Sequence, residues 1–352
     1  MSYRILYAGN LGHGGTCLYR LETLQRLGQE VIPFDTQRYL GPSRILSALQ
    51  YRYPMGPLIA RINRDLLAVA RREKPAIVWF DKPVQFTPQT LRCLQEQGIF
   101  TLCFHMDNPF VRQGSYARWE FFQLHRILPL LDLHCLFRQV DIPRYQAMGL
   151  KHIKIQLSYD PMHHFPPPPE WSDAGRTRAL SYIGSPFDDR PRFLRSLALD
   201  YHLPLTISGP RWHKFLTAQE MKRLTRGSWM LDEAYRRGIW ASRINLSFVT
   251  EMNEEDVAHK AFEIAACGGF LLALRTPGHQ ACFEEGREAE FFSTIEECAE
   301  KARYYLEHPA EREEIARRGC ERARLSGYDN DTQLNRVLEE IKKHRATGVP
   351  RR

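Results

Sequence analysis

The feature that most constrains the fold is an alternation of short apolar runs with helix-like segments, which stops at a proline run and then starts again. In the first half, apolar runs at 4–8, 30–34, 76–80 and 100–105 alternate with segments that suit helices. The four prolines at 166–169 cannot lie in a helix or in a central strand, so they predict a stiff linker. Further strand-like runs follow this linker, at 179–183, 205–208, 244–248, 270–273 and 291–292.

Alternating strands and helices form parallel sheets with right-handed crossovers. The pattern therefore predicts an α/β chain with two Rossmann-like domains, and 352 residues are enough for two domains of ordinary size. We expect the N-terminal domain to cover 1–165 and the C-terminal domain to cover 172–329.

Composition gives expectations about where in the cell the chain acts. No run reaches the roughly 18 uncharged apolar residues of a membrane helix, and the N-terminus shows no signal-peptide pattern. The eight cysteines are scattered and form no C-x-x-C pair. Free thiols are therefore expected, with no disulfide and no structural metal. These features predict a cytoplasmic protein.

The net charge of +8 indicates either well-solvated helix faces or an anionic partner. An acidic acceptor or a membrane surface is the main alternative to the solvated faces. Nucleic acid is a less favoured partner.

A glycine-rich turn joins the first predicted strand to the first helix. The turn contains Gly12, His13, Gly14 and Gly15. Glycines let the backbone approach a ligand, and a helix N-terminus offers N–H groups to an anion, so phosphates or an acceptor are candidate ligands. A dinucleotide fingerprint would need a glycine where Cys17 stands, but Asp35 lies near the distance expected of a ribose-binding acid. An NAD(P)-dependent oxidoreductase and a tight turn without a ligand both stay open.

An acidic residue within an apolar helix marks the second half. The helix-like segment ends at Gly268-Gly269 and gives way to an apolar strand. Glu263 lies in its apolar part, where an unpaired carboxylate is costly. It therefore needs partners, either a ribose diol or an internal ion pair with a nearby Lys or Arg.

His105 follows an apolar strand of the first half, and open α/β sheets bind ligands at the carboxyl ends of their strands. Asp107 could orient this histidine or accept a proton from an acceptor hydroxyl. The alternative is an Asp-Asn-Pro turn at 107–109 beside a hydrogen-bonded histidine.

Several motifs together resemble one family. Glu255 and Glu263 are separated by seven residues, and the second lies in the context Phe-Glu-Ile-Ala-Ala-Cys-Gly-Gly-Phe. This resembles the nucleotide-sugar site of retaining GT-B glycosyltransferases of the large group 1 family. The CgeB-like (spore maturation protein) branch is more similar still. The matching motifs are Arg4–Asn10, Tyr182–Ser185, Ile207–Pro210, Arg275–His279 and Phe283–Gly286.

This resemblance covers nearly the whole chain and implies two Rossmann-like domains facing each other across a donor cleft. The N-terminal domain, 1–165, would lie on the acceptor side, and the C-terminal domain, 172–329, would bind the nucleotide sugar. It also implies that a C-terminal helix at 330–345 packs back on the first domain. Glu263 would hold the donor ribose, and Glu255 would lie near the transferred sugar. The turns would line the nucleotide pocket with Gly184, Ser185, Gly209 and Pro210.

The resemblance leaves the diphosphate contacts to two candidates. The family's usual Arg-x-x-x-x-Lys pair has no clear match here, so Lys260 or Arg190 would neutralise the diphosphate. His105 resembles the histidine that such enzymes direct at the donor sugar, which would make His105, Asp107 and Glu255 the catalytic residues.

The function expected on this basis is transfer of a sugar from a nucleotide-diphosphate sugar to the hydroxyl of an unidentified acceptor, with retention and without a metal. The nucleotide sugar is a co-substrate, and no cofactor is expected. The alternatives are the oxidoreductase and a non-catalytic basic protein that binds nucleic acid or a membrane surface.

Overall fold

The computed structural model describes residues 2–39, 49, 53–111, 117–227 and 230–346. Its contacts divide the chain into two compact units. The first consists of Met1–Gln156 with Asp331–Arg352, and the second of Leu157–Asn330. Each unit contains one sheet of parallel strands with helices between them.

The sheet of the first unit has the strand order β2-β1-β3-β4-β5-β6, and every pair is parallel. Its strands are β1 (Arg4–Gly9), β2 (Glu30–Asp35), β3 (Ile77–Asp81), β4 (Phe100–Phe104), β5 (Leu133–Leu136) and β6 (His152–Lys154). All residues of β3 and β4 are buried, as expected of central parallel strands covered on both faces.

The helices of the first unit connect these strands. They are α1 (Thr16–Arg26), α2 (Pro57–Glu73), α3 (Pro88–Glu96), α4 (Ala117–Glu120), α5 (Phe122–Ile127) and α6 (Asp141–Ala147). Short 3-10 turns lie at Thr36–Tyr39 and Leu128–Leu130. α1 ends just before Gly28, whose φ of +77° is a conformation that glycine adopts without strain.

The sheet of the second unit has the order β11-β10-β9-β7-β8 and is also parallel throughout. Its strands are β7 (Arg178–Ile183), β8 (Leu205–Ser208), β9 (Ser242–Ser247), β10 (Leu271–Leu274) and β11 (Glu290–Phe292). Counted within the unit, this is the order 2-1-3-4-5 of flavodoxin-like folds read from the opposite edge.

The helices of the second unit pack around this sheet. They are α7 (Arg190–Leu199), α8 (Ala218–Leu224), α9 (Asp232–Trp240), α10 (His259–Ala266), α11 (Pro277–Cys282), α12 (Ile295–Glu307) and α13 (Pro309–Leu325). Short 3-10 turns lie at Asp173–Gly175, Trp212–Lys214 and Glu251–Asn253. No helix in the described parts of the chain is long and apolar enough to cross a membrane.

The last helix, α14 (Asn330–Ala346), lies against the first unit from Asp331 onward. Arg26 forms an ion pair with Asp331 at 2.7 Å. The backbone N–H of Gln156 donates to Gln333, and the Arg345 guanidinium donates to a backbone carbonyl that precedes β3. These contacts run along the helix, so both its ends are attached to the first unit.

The division between the units differs from the expected linker. It falls after Gln156, before the proline run, because that run packs on the second unit. The carbonyl of Phe165 accepts a hydrogen bond from the Trp240 indole at 3.0 Å. A Cβ built on Gly268 would lie 3.3 Å from Pro166. The prolines therefore lie along the second unit, inside its boundary.

Candidate functional site

The second unit has a topological switch point between β7 and β9. The chain leaves β7 toward the edge strand β8 and returns to the other side of β7 through β9. In open α/β sheets ligands bind outside the carboxyl ends of the strands at such a point. The residues to inspect are therefore those after Ile183 and those after Ser247.

The two turns predicted to line a nucleotide pocket lie against each other here. The N–H of Gly184 donates to the carbonyl of Ser208 at 2.8 Å, and the Trp212 indole donates to the carbonyl of Gly184 at 2.9 Å. Gly209 has a φ of +144°, and a Cβ there would lie 2.1 Å from the Gly184 carbonyl oxygen. Only glycine permits this approach.

The residues that follow these glycines are half-buried, as the glycines are. Ser185 uses its carbonyl to accept a hydrogen bond from the Tyr182 hydroxyl at 3.1 Å, and Pro210 is half-buried. The predicted turn residues therefore form one continuous backbone surface at the switch point.

Lys260, on the first turn of α10, lies beside this surface. A Cβ built on Gly184 would be 3.3 Å from Cε of Lys260, and the ammonium lies 5.9 Å from the centre of the Tyr235 ring. No carboxylate of the described residues forms an ion pair with it. A half-buried cation with no paired acid suits an anionic ligand.

Arg190, the other candidate for the diphosphate, is directed into the protein. Its side chain is 7% exposed. One terminal nitrogen donates to the Val249 carbonyl at 2.7 Å and to the Thr250 hydroxyl at 3.0 Å, and the other donates to the Tyr182 hydroxyl at 3.3 Å. Arg190 therefore joins the end of β7 to the end of β9. Arg190 also lies 3.6 Å from the Asp188 carboxylate, whereas Lys260 forms no ion pair among the described residues and only helps to lower the pKa of Glu263.

Glu263 lies one turn further along α10 and is 7% exposed. Its carboxylate accepts a hydrogen bond from the Tyr235 hydroxyl at 2.6 Å and lies 3.1 Å from Nδ1 of His259. Nε2 of His164 is 3.7 Å away. An internal partner set was one of the two alternatives, and the partners are two histidines and a tyrosine instead of the expected Lys or Arg.

The electrostatics of this cluster keep Glu263 ionised. Burial by itself raises the pKa of Glu263, but the charges of His259 and His164 and the hydrogen bond from His259 outweigh it and hold the pKa well below its ordinary value. Nε2 of His259 lies 2.8 Å from the Ser158 carbonyl, so both ring nitrogens face acceptors.

Glu255 stabilises its own turn. Its carboxylate accepts from the N–H of Thr250 at 2.9 Å and from the side-chain amide of Asn253 at 2.8 Å. The side chain is half-buried. Its place near a transferred sugar stays a prediction, as does the contact of Glu263 with a ribose.

The motif Arg275–His279 fixes the start of α10 from the side. Nε2 of His279 accepts from the N–H of Ala258 at 3.0 Å, and its Nδ1 lies 2.7 Å from the Leu274 carbonyl. Thr276 donates to the Asp256 carbonyl at 2.6 Å. Burial lowers the pKa of His279 to about 4, so the neutral ring can accept this N–H at neutral pH.

In the first unit the glycine turn lies where the loop was expected, between β1 and α1. The N–H of Gly15 donates to the carbonyl of Gly12 at 3.1 Å, Gly14 has a φ of +69°, and His13 is exposed. Gly15 is the N-cap of α1 and supplies no side-chain acceptor to the helix. The turn therefore keeps the geometry of an anion site.

Asp35 closes this turn. Its carboxylate accepts from the N–H groups of Leu11 at 3.2 Å and Gln37 at 3.0 Å. Both bonds use Oδ1, while Oδ2 lies 3.5 Å from the exposed Arg38 guanidinium.

His105 lies at the carboxyl end of β4, but its ring is enclosed. It is 2% exposed, and its Nε2 is 2.9 Å from Nδ1 of His134, with the Tyr145 hydroxyl at 3.3 Å. Burial, then His134 and Arg138, lowers the pKa of His105 well below its usual value. This geometry matches the alternative of a hydrogen-bonded histidine.

Asp107 points to a different partner. It forms an ion pair with Lys82, which also contacts Glu120 at 3.1 Å, and its side chain is 37% exposed. The N–H of Phe110 donates to the Asn108 side chain at 2.9 Å, so residues 107–109 form the turn named as the alternative. The structure does not join Asp107 to His105, and their catalytic roles stay predictions.

Three residues of the cluster around Glu263 were missed from sequence, namely Tyr235, His259 and His164. His259 had a signal, because it precedes Glu263 by four residues on a helix and such pairs lie on one face. Tyr235 and His164 come from distant segments, and no local sequence pattern predicts that they contact Glu263.

Two parallel α/β units of this kind define the GT-B class of fold. A family model described as "Glycosyl transferase-like" matches residues 190–339, which is less than half of the chain but includes most elements of the second unit. No curated protein matches the chain.

Several solved structures are similar to this chain over nearly its whole length. Sucrose-phosphate synthase from Thermosynechococcus elongatus is 13% identical with a TM-score of 0.68, and the match covers 96% of this chain and 99% of that one. A glycosyltransferase from Rickettsia africae is 12% identical with a TM-score of 0.66, over 97% and 98% of the two chains. HepE from Anabaena in complex with UDP-glucose is 12% identical with a TM-score of 0.65, over 97% and 100%. At these identities the likeness establishes the fold.

Proposed function

We propose that the chain is a glycosyltransferase that moves a sugar from a nucleotide-diphosphate sugar to an acceptor hydroxyl. The observation that carries the proposal is the group at the switch point of the second unit, where two glycine turns meet and Lys260 stands beside them without an ion pair to a carboxylate of the described residues. The "Glycosyl transferase-like" match spans α7 to α14 and so includes Lys260, although it begins after Gly184. HepE, one of the structures with this fold, was solved with UDP and with UDP-glucose.

The chemistry follows from where charge develops. The bond between the sugar's anomeric carbon and the diphosphate oxygen breaks, and negative charge builds on the departing diphosphate. Lys260 would stabilise that charge, with backbone N–H groups of the adjoining turns as further donors. The acceptor hydroxyl forms the new bond and releases its proton. In this proposal the leaving group is stabilised by the protein's own cation, without a metal.

Glu263 and His259 would shape the nucleoside end of the site. The carboxylate is held ionised and oriented by Tyr235 and His259, which is the state that accepts hydrogen bonds from a diol. A ribose would replace one of these donors. Retention of configuration, a sugar contact by Glu255 and membership of the CgeB-like branch belong to the same proposal and rest on the resemblance of motifs.

A ligand screen tests the proposal directly. Thermal shift and calorimetry would be run with UDP, GDP, ADP, CMP, dTDP, their common sugars and NAD(P). We expect stabilisation by one nucleoside diphosphate and its sugar, and loss of about tenfold in affinity in Lys260→Ala, since a charge-assisted contact contributes about 1.5 kcal/mol or more. Lys343→Ala is the matched control, because Lys343 is an exposed lysine of the other unit.

The outcomes separate the alternatives. Binding of NAD(P) alone would replace the transferase with the oxidoreductase. Nucleotide binding that is equal in Lys260→Ala and wild type would remove the donor site from this switch point. Release of free sugar or glycosylated acceptor from the bound donor would complete the assignment.

A further inference from the structure

The first unit has a switch point of its own, between β1 and β3. The chain leaves β1 toward the edge strand β2 and returns through β3 on the other side of β1. Lys82 follows β3 directly, and its N–H donates to the carbonyl of Phe104, the last residue of β4, at 3.4 Å. Side chains gathered around Lys82 therefore lie at the carboxyl end of the first sheet, where open α/β sheets bind ligands.

Two carboxylates meet the Lys82 ammonium. Asp107 comes from the chain that follows β4, and Glu120 is the last residue of α4, with its carboxylate 3.1 Å from the ammonium. A carboxylate has about four acceptor sites, so two acids that share one ammonium can still accept hydrogen bonds from hydroxyl groups. The three side chains carry one more acid than cation, and the group therefore presents acceptors and not a positive charge.

Exposed aromatic rings begin at Trp119, the residue before Glu120. Trp119 is 43% exposed, and its ring centre lies 6.1 Å from that of Tyr53, which is 37% exposed. On its other side the Phe122 ring lies 6.2 Å away, and the Arg126 guanidinium lies 5.3 Å from the centre of that ring. Because Arg126 covers Phe122 in part, Trp119 and Tyr53, here called the ring pair, are the aromatic surface open to a ligand.

Buried contacts hold the two rings in place. Gln123, on α5, is buried, and its side-chain amide donates to the carbonyl of Pro54 at 3.3 Å. Pro54 follows Tyr53 and is itself buried. This bond joins the segment before α2 to the segment after β4, which carries Trp119. The ring pair is therefore built from two connections of the sheet that are fixed to each other, beside the acids at Lys82.

We propose that the ring pair, with Asp107 and Glu120, binds the acceptor, and that this acceptor is a neutral saccharide. The inference rests on the proposed function, which requires an acceptor hydroxyl. The apolar C–H faces of sugar rings pack on exposed aromatic rings, and sugar hydroxyls donate to carboxylates. A polyanion or an anionic membrane face would meet like charge at the two acids. The position agrees with the expectation that residues 1–165 form the acceptor side.

The test uses the full chain and neutral trisaccharides as probes, namely maltotriose, cellotriose, xylotriose and triacetylchitotriose, with and without UDP. Saturation-transfer NMR detects binding, and titration gives the Kd. A heparin-derived tetrasaccharide and phosphatidylglycerol vesicles are the comparison ligands. Trp119→Ala is the main variant, Trp119→Phe keeps a ring, and Tyr53→Ala tests the second ring should the first variant not fold. Phe215→Ala is the matched control, because Phe215 is an exposed aromatic residue of the second unit.

We expect at least one neutral trisaccharide to bind, with a roughly tenfold loss of affinity in Trp119→Ala and in Tyr53→Ala and about twofold in Trp119→Phe. Phe215→Ala should bind as the wild type does, and salt should change the affinity little, because the ligand is uncharged. Failure of every trisaccharide to bind the wild type, or equal losses in Trp119→Ala and Phe215→Ala, would overturn the inference. Binding of the heparin fragment or the vesicles alone, weakened by Trp119→Ala, would assign the surface to that partner instead.

The two proposals fail separately. UDP affinity should stay within about twofold in every variant of the ring pair, because both rings belong to the first unit. If UDP and the other nucleotides do not bind the wild type, the proposed donor site fails. If a nucleotide binds while no trisaccharide depends on Trp119 or Tyr53, the acceptor inference alone fails.

Discussion

Replacing Glu263 by glutamine removes the charge from the buried cluster on α10 and leaves its shape nearly unchanged. The residue is 7% exposed, and its carboxylate has a tyrosine hydroxyl at 2.6 Å and a histidine nitrogen at 3.1 Å. A glutamine oxygen can still accept the hydrogen bond from Tyr235. The glutamine NH2 group, however, would face the His259 ring nitrogen, which is itself a donor, so two donors would meet. The variant therefore isolates the charge from the packing.

The expected loss in the free energy of unfolding is about 2–3 kcal/mol. A hydrogen bond to a charged group contributes about 1.5–3 kcal/mol, and removing one partner of a fully buried pair costs about 3–5 kcal/mol. The value is placed at the lower end because the side chain of His259 is 21% exposed, so water partly screens the pair. Glu263→Ala should lose about 1 kcal/mol more, through the cavity it leaves.

Urea unfolding followed by circular dichroism measures this difference. Glu233→Gln is the matched control, because Glu233 is a glutamate on α9 whose side chain is 62% exposed and pairs only with Arg237. Its substitution should change stability by less than about 0.5 kcal/mol. A change of similar size in the two variants would refute the view that the cluster is a buried charged network.

The same variant predicts a pH dependence. The pKa of Glu263 is lower in the folded protein than in the unfolded chain, so its contribution is fully present above the ordinary carboxyl range near pH 4.3 and is lost as the pH falls toward the folded value. Wild-type stability should therefore fall more steeply than that of Glu263→Gln between about pH 5 and pH 3. Parallel curves would contradict the lowered pKa.

Three further substitutions test other parts of the structure. Gly278→Ala places a Cβ 2.2 Å from the Asp256 carbonyl oxygen, so we expect the free energy of unfolding in urea to fall by about 1–3 kcal/mol. Nucleotide binding measured by calorimetry should weaken as well. Unchanged binding would show that this motif is separate from the proposed donor site. Thr276→Val removes the N-cap of α11 and the hydrogen bond to the Asp256 carbonyl, so the free energy of unfolding should fall by about 1–2 kcal/mol. Thr276→Ser keeps the hydroxyl and should restore most of this loss. If the serine variant is as unstable as the valine variant, the hydroxyl is not responsible. Arg20→Met leaves Asp81 buried without its ion-pair partner at 2.7 Å, and the free energy of unfolding should fall by about 3–5 kcal/mol. Adding Asp81→Asn to the same chain should recover part of this loss. Losses that simply add would show that the two residues are not coupled.

The architecture could be predicted because the strands are long apolar runs separated by helix patterns. The runs at 4–8 and 205–208 became β1 and β8 within a residue or so. β5 and β6 were missed, since His134 interrupts the apolar character of the first and the second has three residues. The unit boundary was missed because prolines stiffen a chain equally well when it runs along a surface.

The candidate site could be predicted in part. Glycines at 184 and 209 are readable as turns, and Lys260 and Glu263 as polar positions of an apolar helix. Which cation is unpaired depends on contacts across long sequence distances, such as that of Arg190 with the Val249 carbonyl. The burial of His105 depends in the same way on a distant residue, His134. The sequence around His105 does not show whether the end of its strand is exposed or covered.

Residues 209–226 return to the strand end from which they start, because the N–H of Arg226 donates to the Ile207 carbonyl, and this has a consequence for sequence variation. Because residues 209–226 leave and rejoin the same end of β8, their length is independent of the register of the sheet, and closing a longer loop adds little entropy cost. Insertions or exchanges within 209–226 should therefore leave the contact between Gly184 and Gly209 in place. A chain built this way can vary this segment while the sheet of the second unit keeps its geometry.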